Sequence, residues 1–228
     1  KGITKAAKRG DREAGEGVIM VAVNEAGNEG YIAEVNAETD FVVRSDKFQE
    51  FANKILAIIK ERKPASREEF MTLKMDDGHS VEENLNTLSG VIGEKLDIKR
   101  LDVISSAGTV AAYSHMGGRI GVLVALDKPS TKELAMDIAM QIAAANPKYI
   151  SSADIPTDEI EKEKEIYREQ LKKEGKPDNM IEKILEGKLN KFYEEVCLLN
   201  QEYIKDDKKK VRDVLGEMKV ERFARHSL

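Results

Sequence analysis

The sequence predicts an α+β chain with two similar subdomains, each an antiparallel hairpin followed by helices, and a long antiparallel helical hairpin. Three observations carry this. Two pairs of β-prone runs flank Gly-containing turns about 90 residues apart. Each pair is followed by a segment whose apolar residues recur at spacings of three and four. A third region, about residues 157–196, reads as two charged amphipathic helices separated by Gly175-Lys176-Pro177.

In the first pair, residues 17–23 and 31–36 flank a Gly/Asn-rich turn over 24–30. Ser45 or Asp46 then caps a helix over about 47–60, where Phe48, Phe51, Ile55, Ile58 and Ile59 share a face. Residues 66–73 and 80–95 also read as helices. The β-prone run 98–104 either pairs with the first hairpin or leads into the second. In the second pair, residues 108–115 and 119–126 flank Met116-Gly117-Gly118. Thr131 caps the helix that follows, with Leu134, Ile138, Met140, Ile142 and Ala145 along its stripe, and Asn146-Pro147 stops it. The likeness of the two copies is one of pattern, since their identity is low. Upstream of both, residues 3–9 are basic and helix-prone and end at Gly10.

In the helical hairpin, Asp158 and Glu159 sit in the first turn, where the dipole favours carboxylates. Ile160, Tyr167 and Leu171 of the first helix match Ile181, Ile184, Leu185, Leu189, Phe192 and Val196 of the second. Arms of about 18 residues reach roughly 27 Å at 1.5 Å per residue. They are too polar to form a core, so they are expected to project from the body.

Composition excludes several functions. Acidic residues number 42 against 37 basic, a net charge of −5, which does not suit nucleic-acid binding through the overall field. The basic residues Lys205, Lys208, Lys209, Lys210 and Arg212 read as a solvated face. One cysteine, Cys197, permits no intramolecular disulfide and fits a reducing compartment. Beside Leu198-Leu199 it reads as a buried structural thiol. His79, His115 and His226 show no metal-ligand spacing. No run is long and apolar enough to span a bilayer, and no signal peptide is recognisable. Phosphate-loop, nucleophile-elbow and H-E-x-x-H motifs do not occur. Asp76-Asp77 reads as a pair of loop carboxylates. The expectation is a non-enzyme without metal, cofactor or membrane association.

Asp40-Phe41 stands out, at the end of a strand and just before a helix cap. Two dispositions are open. Phe41 tucks inward while Asp40 caps the turn, the commoner fate of a loop aromatic. Alternatively, the junction presents Phe41 outward on a rigid base.

Glu34-Val35-Asn36-Ala37-Glu38-Thr39-Asp40-Phe41-Val42 closely resembles the signature stretch of the elongation factor Ts family. Four further segments agree in order. Ile92-Gly93-Glu94 with Ile98-Lys99-Arg100 is similar to the family's helix end and following strand. Tyr113-Ser114-His115 with 118–124 looks like its second hairpin. Residues 175–192 look like the coiled-coil tip and return helix, and 199–206 like the segment leaving that coiled coil. There, Gln201-Glu202-Tyr203-Ile204 stands where Gln-Pro-Phe-Val is commoner.

The resemblance implies a two-subdomain α+β core, over 17–104 and 105–228, with an antiparallel coiled coil inserted at about 157–196. Residues 1–16 would be a linker, and the family's small three-helix N-terminal domain would be missing. It implies guanine-nucleotide exchange on elongation factor Tu in the cytoplasm, with no covalent step and no nucleotide bound by the chain itself. By carry-over, Phe41 is a wedge near the partner's nucleotide and magnesium site, and Asp40 the adjacent polar contact, within Thr39-Asp40-Phe41-Val42. Ile92 and Gly93 would touch the same GTPase domain, and His115 and Ile204 would belong to contacts of the second subdomain. Homodimerisation stays open. Two other classes remain beside this one: a scaffold that binds through the helical hairpin, and an enzyme with an unrecognised carboxylate site.

Overall fold

The computed structural model describes residues 12–228; the basic helix expected over residues 3–9 lies outside them. Two compact units result. One takes in the described residues up to Ala143 together with Lys219–Leu228, and the other is Ala144–Met218.

In the first unit, β1 (Glu16–Val23) and β2 (Glu29–Ala37) form the expected hairpin. Asn24 organises its turn, accepting at Oδ1 from the backbone N–H of Asn28 (3.0 Å) and Glu29 (3.1 Å). β3 (Leu96–Ser105) pairs antiparallel with β2, which settles the partner of residues 98–104 and gives the order β1-β2-β3. Four helices follow β2: α1 (Asp40–Val43), α2 (Asp46–Arg62), α3 (Arg67–Thr72) and α4 (Val81–Ile92). Ser45, Ser66 and Ser80 cap the last three, each accepting a backbone N–H three residues on, and Ser80 with Glu83 forms a capping box. The expected helix over 80–95 ends early because Gly93 takes φ 94° as its C-cap. One face of β2, with Tyr31, Ala33, Val35 and Ala37, packs on Phe48, Phe51, Ile55 and Ile59 of α2, Phe70 of α3 and Leu85 of α4.

The second sheet holds β4 (Thr109–His115), β5 (Ile120–Leu126) and β8 (Val220–Ser227), in that order. Sequence reading missed β8. Its Val220-Glu221-Arg222-Phe223-Ala224-Arg225-His226-Ser227 run alternates too weakly in hydrophobicity to read as a strand. After β5, Thr131 Oγ1 accepts from Leu134 N–H (3.2 Å) and opens α5 (Lys132–Ala145), which ends at Asn146 in the left-handed region, φ 46°.

The two sheets pack on one another. Ile19, Ile32 and Ile104 from the first meet Val110, Leu123, Ala125 and Ala224 from the second. Two glycines in matching places, each second in its return strand, permit the close approach. A Cβ on Gly30 would lie 2.8 Å from Val110 Cγ1, and one on Gly121 would overlap Ile19 Cγ2 and lie 2.9 Å from Val21 Cγ1. The edge strands are pinned reciprocally. Ile19 N–H of β1 donates to Gly118 O in the second hairpin's turn (2.7 Å), and Val110 N–H of β4 donates to Gly27 O in the first hairpin's turn (2.8 Å). Beyond the apolar centre lies a polar cluster. The buried Glu34 accepts from Arg100 Nε (2.5 Å), Arg100 Nη2 donates to Ser227 O (2.9 Å), and His226 Nε2 lies 3.0 Å from Asp102 Oδ2.

The second unit contains the helical hairpin, α6 (Thr157–Lys173) and α7 (Asp178–Val196). A Schellman motif ends α6: Lys176 N–H reaches Leu171 O and Gly175 N–H reaches Lys172 O, both at 3.0 Å, with Gly175 at φ 71°. Phe192, Val196 and Cys197 pack with Ile155, Ile160 and Tyr167, while Lys188 Nζ lies 5.4 Å from the Tyr167 ring centre. Cys197 is fully buried, and burial pushes its thiol up to about 11. β6 (Glu202–Tyr203), β7 (Asp206–Lys210) and α8 (Val211–Leu215) complete the unit.

Close packing at Gly121 has a measurable consequence. Gly121→Ala lowers stability by about 1–3 kcal/mol, because an overpacked sheet interface must shift backbone. Gly187→Ala, in an exposed part of α7 with open space around the new methyl, raises stability by about 0.5–1 kcal/mol. Urea denaturation of the two variants beside the unchanged chain checks both signs.

Candidate partner-binding site

The junction after β2 is a single helical turn, α1, and its construction decides where Phe41 points. Thr39 is the N-cap, extended at φ −129°, ψ 153°, with Oγ1 accepting from Val42 N–H at 3.4 Å. Asp40 is therefore not the cap. Val42 and Val43 turn inward and pack against the first core, which leaves Asp40 and Phe41 on the outer side. Phe41 is 82% exposed, the most exposed of the large hydrophobic side chains among the described residues. The inward disposition of Phe41, favoured by the general habits of loop aromatics, is thus corrected. The two valines fill the inward positions of this short turn.

The turn is tied down from several sides. The Glu94 carboxylate accepts from Thr39 N–H (3.0 Å) and from Thr39 Oγ1–H (2.8 Å). Glu38 Oε1 accepts from Lys95 N–H (2.6 Å). These paired bonds lock the β2–α1 junction to the α4–β3 junction, and so bring Ile92 and Gly93 beside the Phe41 turn. Ser45 Oγ–H and Gln49 Nε2–H cap Val42 O and Val43 O at 2.7 Å each. Gly93 holds its left-handed conformation with open space around it. Ile92 is half-buried against the core, and its neighbour Val91 is 63% exposed. Asp40 shares its charge with Arg44 at 2.9 Å, one helical turn on. The result is a rigid pedestal with one bare aromatic ring at its top.

His115 stands at the end of β4, exposed, with Nδ1 2.9 Å from Tyr113 Oη and the two rings tilted at 33°. The turn after it has three consecutive residues at positive φ: Met116 at 51°, Gly117 at 65° and Gly118 at 90°. This conformation costs a residue with a Cβ roughly 1–2 kcal/mol. The register places this turn at the same end of the first unit as Phe41. Gly118 O is bonded to Ile19, which pairs with Glu34 of β2, and Arg119 Nη1 reaches Glu16 (3.3 Å), which pairs with Ala37. Ile204 belongs to the second unit, where it is 46% exposed in the two-residue turn between Tyr203 and Asp206.

Sequence reading named the displayed residues but not the bonds that hold them. Ser45 was read as a cap, and Glu38 and Glu94 stood within quoted motifs without a role. Gln49 and Lys95 were missed, and only their positions beside a turn or cap could have marked them. Among the described residues, no helix is long and apolar enough to cross a membrane, and no group of three or more His, Cys, Asp or Glu could hold a metal ion.

Comparison with known proteins shows the family. The family model described as Elongation factor TS matches residues 38–228, a span that opens at the Phe41 pedestal. The curated Elongation factor Ts of Prosthecochloris aestuarii (strain DSM 271 / SK 413) is 44% identical over 243 residues, covering all of this chain and 84% of that protein. On the extent of both matches, the chain belongs to the elongation factor Ts family.

Proposed function

We propose that the chain is a guanine-nucleotide exchange factor for elongation factor Tu, acting through Asp40-Phe41. The observation that carries this reading is the exposed Phe41 ring on a turn whose backbone is fixed from both sides. An exchange factor must favour the nucleotide-free form of its partner. Each ligand then weakens the other by the same coupling free energy, typically about 1–3 kcal/mol. An apolar ring inserted beside a nucleotide pocket supplies such coupling when it fits only the rearranged pocket. Rigidity matters here. A floppy Phe41 would swing aside, whereas the Thr39–Glu94 and Glu38–Lys95 bonds make the partner move instead. Asp40 enters beside the ring as the adjacent polar contact near the magnesium site. Ile92, Gly93 and the neighbouring Val91 extend the same contact, and His115 and Ile204 supply further ones. The chain forms and breaks no covalent bond in this cycle. A pure scaffold would instead bind elongation factor Tu stably without speeding release.

Release of fluorescent GDP from purified elongation factor Tu tests the reading. Micromolar chain accelerates release, and Phe41→Ala slows the accelerated rate about 30-fold, the effect of truncating a central aromatic worth roughly 2 kcal/mol. Its thermal midpoint stays within about 2 °C, since so exposed a ring adds little to folding. No acceleration by the unchanged chain sinks the proposal; full activity in Phe41→Ala sinks only the wedge.

The pedestal has its own test. Thr39→Ala and Glu94→Ala each cost about 1–2 kcal/mol of stability, through a lost cap and a lost charge-assisted pair. Their combination costs less than the sum, because both remove the Thr39 Oγ1–Glu94 bond. Strict additivity in urea denaturation would show that the Glu94 clamp is idle.

A further inference from the structure

Met116 is unexplained by the fold. It opens the turn between β4 and β5, takes φ 51°, and is 65% exposed. A single exposed apolar side chain is ordinary and carries nothing by itself. Here three further facts coincide. The position is left-handed, where glycine or asparagine sits without strain, and the next two residues are glycines that accept it. The turn is held, because Gly118 O is bonded to Ile19 N–H (2.7 Å) and the N–H groups of Gly118 and Arg119 return to His115 O (3.2 and 3.1 Å). A Cβ on Gly118 would lie 2.7 Å from Val18 Cγ2, so the base of the turn sits tightly on β1. Folding thus spends conformational strain to hold an apolar side chain in water on an anchored turn. Strain of that kind persists where the displayed group has work to do.

We infer that Met116 is a partner-contact residue that enters an apolar recess on elongation factor Tu, as a second anchor beside Phe41. This inference rests on the exchange reading above for the identity of the partner. Continuity supports the choice: Met116 adjoins His115, and its turn leaves the same end of the first unit as the Phe41 pedestal. A methionine suits such a recess, since its unbranched, polarisable chain adapts to an irregular apolar wall. Because Met116 stands on a different turn from the wedge, it governs how tightly the partner is held rather than how fast nucleotide leaves once it is bound.

The full chain, with Met116→Gly, Met116→Asn and Met116→Leu variants, is titrated into elongation factor Tu loaded with fluorescent GDP. Glycine and asparagine both tolerate positive φ, so their thermal midpoints match or exceed that of the unchanged chain. Both raise the chain concentration for half-maximal acceleration about five-fold or more while the maximal rate holds within about two-fold. Met116→Leu keeps an apolar side chain and loses less than either. An unchanged half-maximal concentration in the Gly and Asn variants overturns the inference, as does a Leu variant that falls as far as Gly. Calorimetric binding to elongation factor Tu separates the two levels. An unchanged chain that binds without accelerating release overturns the exchange reading alone, and Met116 is then judged by Kd. A chain that does not bind overturns both.

Discussion

The first unit depends on a reciprocal pair of backbone hydrogen bonds. Each sheet ends in an exposed edge strand, and each hairpin turn offers a carbonyl to the other sheet's edge: Gly118 O to Ile19 of β1, Gly27 O to Val110 of β4. An unpaired edge strand is open to pairing with other chains, and each turn occupies one backbone N–H of the other sheet's edge. The same two bonds fix where each turn lies. They are short enough to form only because Gly30 and Gly121 let the sheets approach within the reach of Ile19, Val110 and Leu123. The duplicated hairpin is therefore more than a repeated pattern: each copy completes the other. It also follows that the turn carrying His115 and the strand leading to Phe41 cannot be placed independently.

Between the sheets, apolar packing gives way to the polar cluster of Glu34, Arg100, Asp102 and His226. A buried carboxylate is expensive unless its charge is matched, and Glu34 meets Arg100 at 2.5 Å, Lys99 at 3.7 Å and the Asn36 amide at 3.1 Å. Opposite the Glu34–Val35 step, Lys99 of β3 has no partner in β2, so β3 bulges at this point. Such an irregularity re-aims the chain beyond it. Arg100 holds both Glu34 and Ser227 O, so one guanidinium fixes the exit of β2 against the last strand of the other sheet. The stability of this cluster is secondary to what it specifies, namely the direction in which the chain leaves the sheet.

Much of this fold was legible because local rules and tertiary packing agreed. The two hairpins, the Ser45 cap and the Gly175-Lys176-Pro177 break each rest on turn or cap chemistry that neighbouring residues determine. β8 was hidden because Glu221, Arg222, Arg225 and His226 sit among its apolar residues, and two of these polar side chains find partners across the sheet interface. His226 and Arg222 both reach Asp102, more than 100 residues away. The outward Phe41 was undetermined for the same reason. Its direction follows from Val42 and Val43 packing inward and from Glu94 gripping Thr39 across 55 residues, and neither is a local signal. Resemblance singled out Phe41, and the long-range bonds explain its outward pose.

These long-range bonds also divide the signature stretch into two parts with different work. In Glu34-Val35-Asn36-Ala37 every residue is buried, so none can meet a partner in the folded chain. Val35 and Ala37 pack under α2, while Glu34 and Asn36 face the other sheet. Glu38 and Thr39 are half-buried and spend their polar groups on Lys95 and Glu94. Only Asp40 and Phe41 then offer side chains to solvent before Val42 turns back into the core. A nine-residue motif thus displays two side chains, and the other seven residues set their position. Under the exchange reading proposed above, substitutions in the buried half act on a partner only by moving Phe41. For such residues, stability and activity fall together, whereas at Phe41 the two separate.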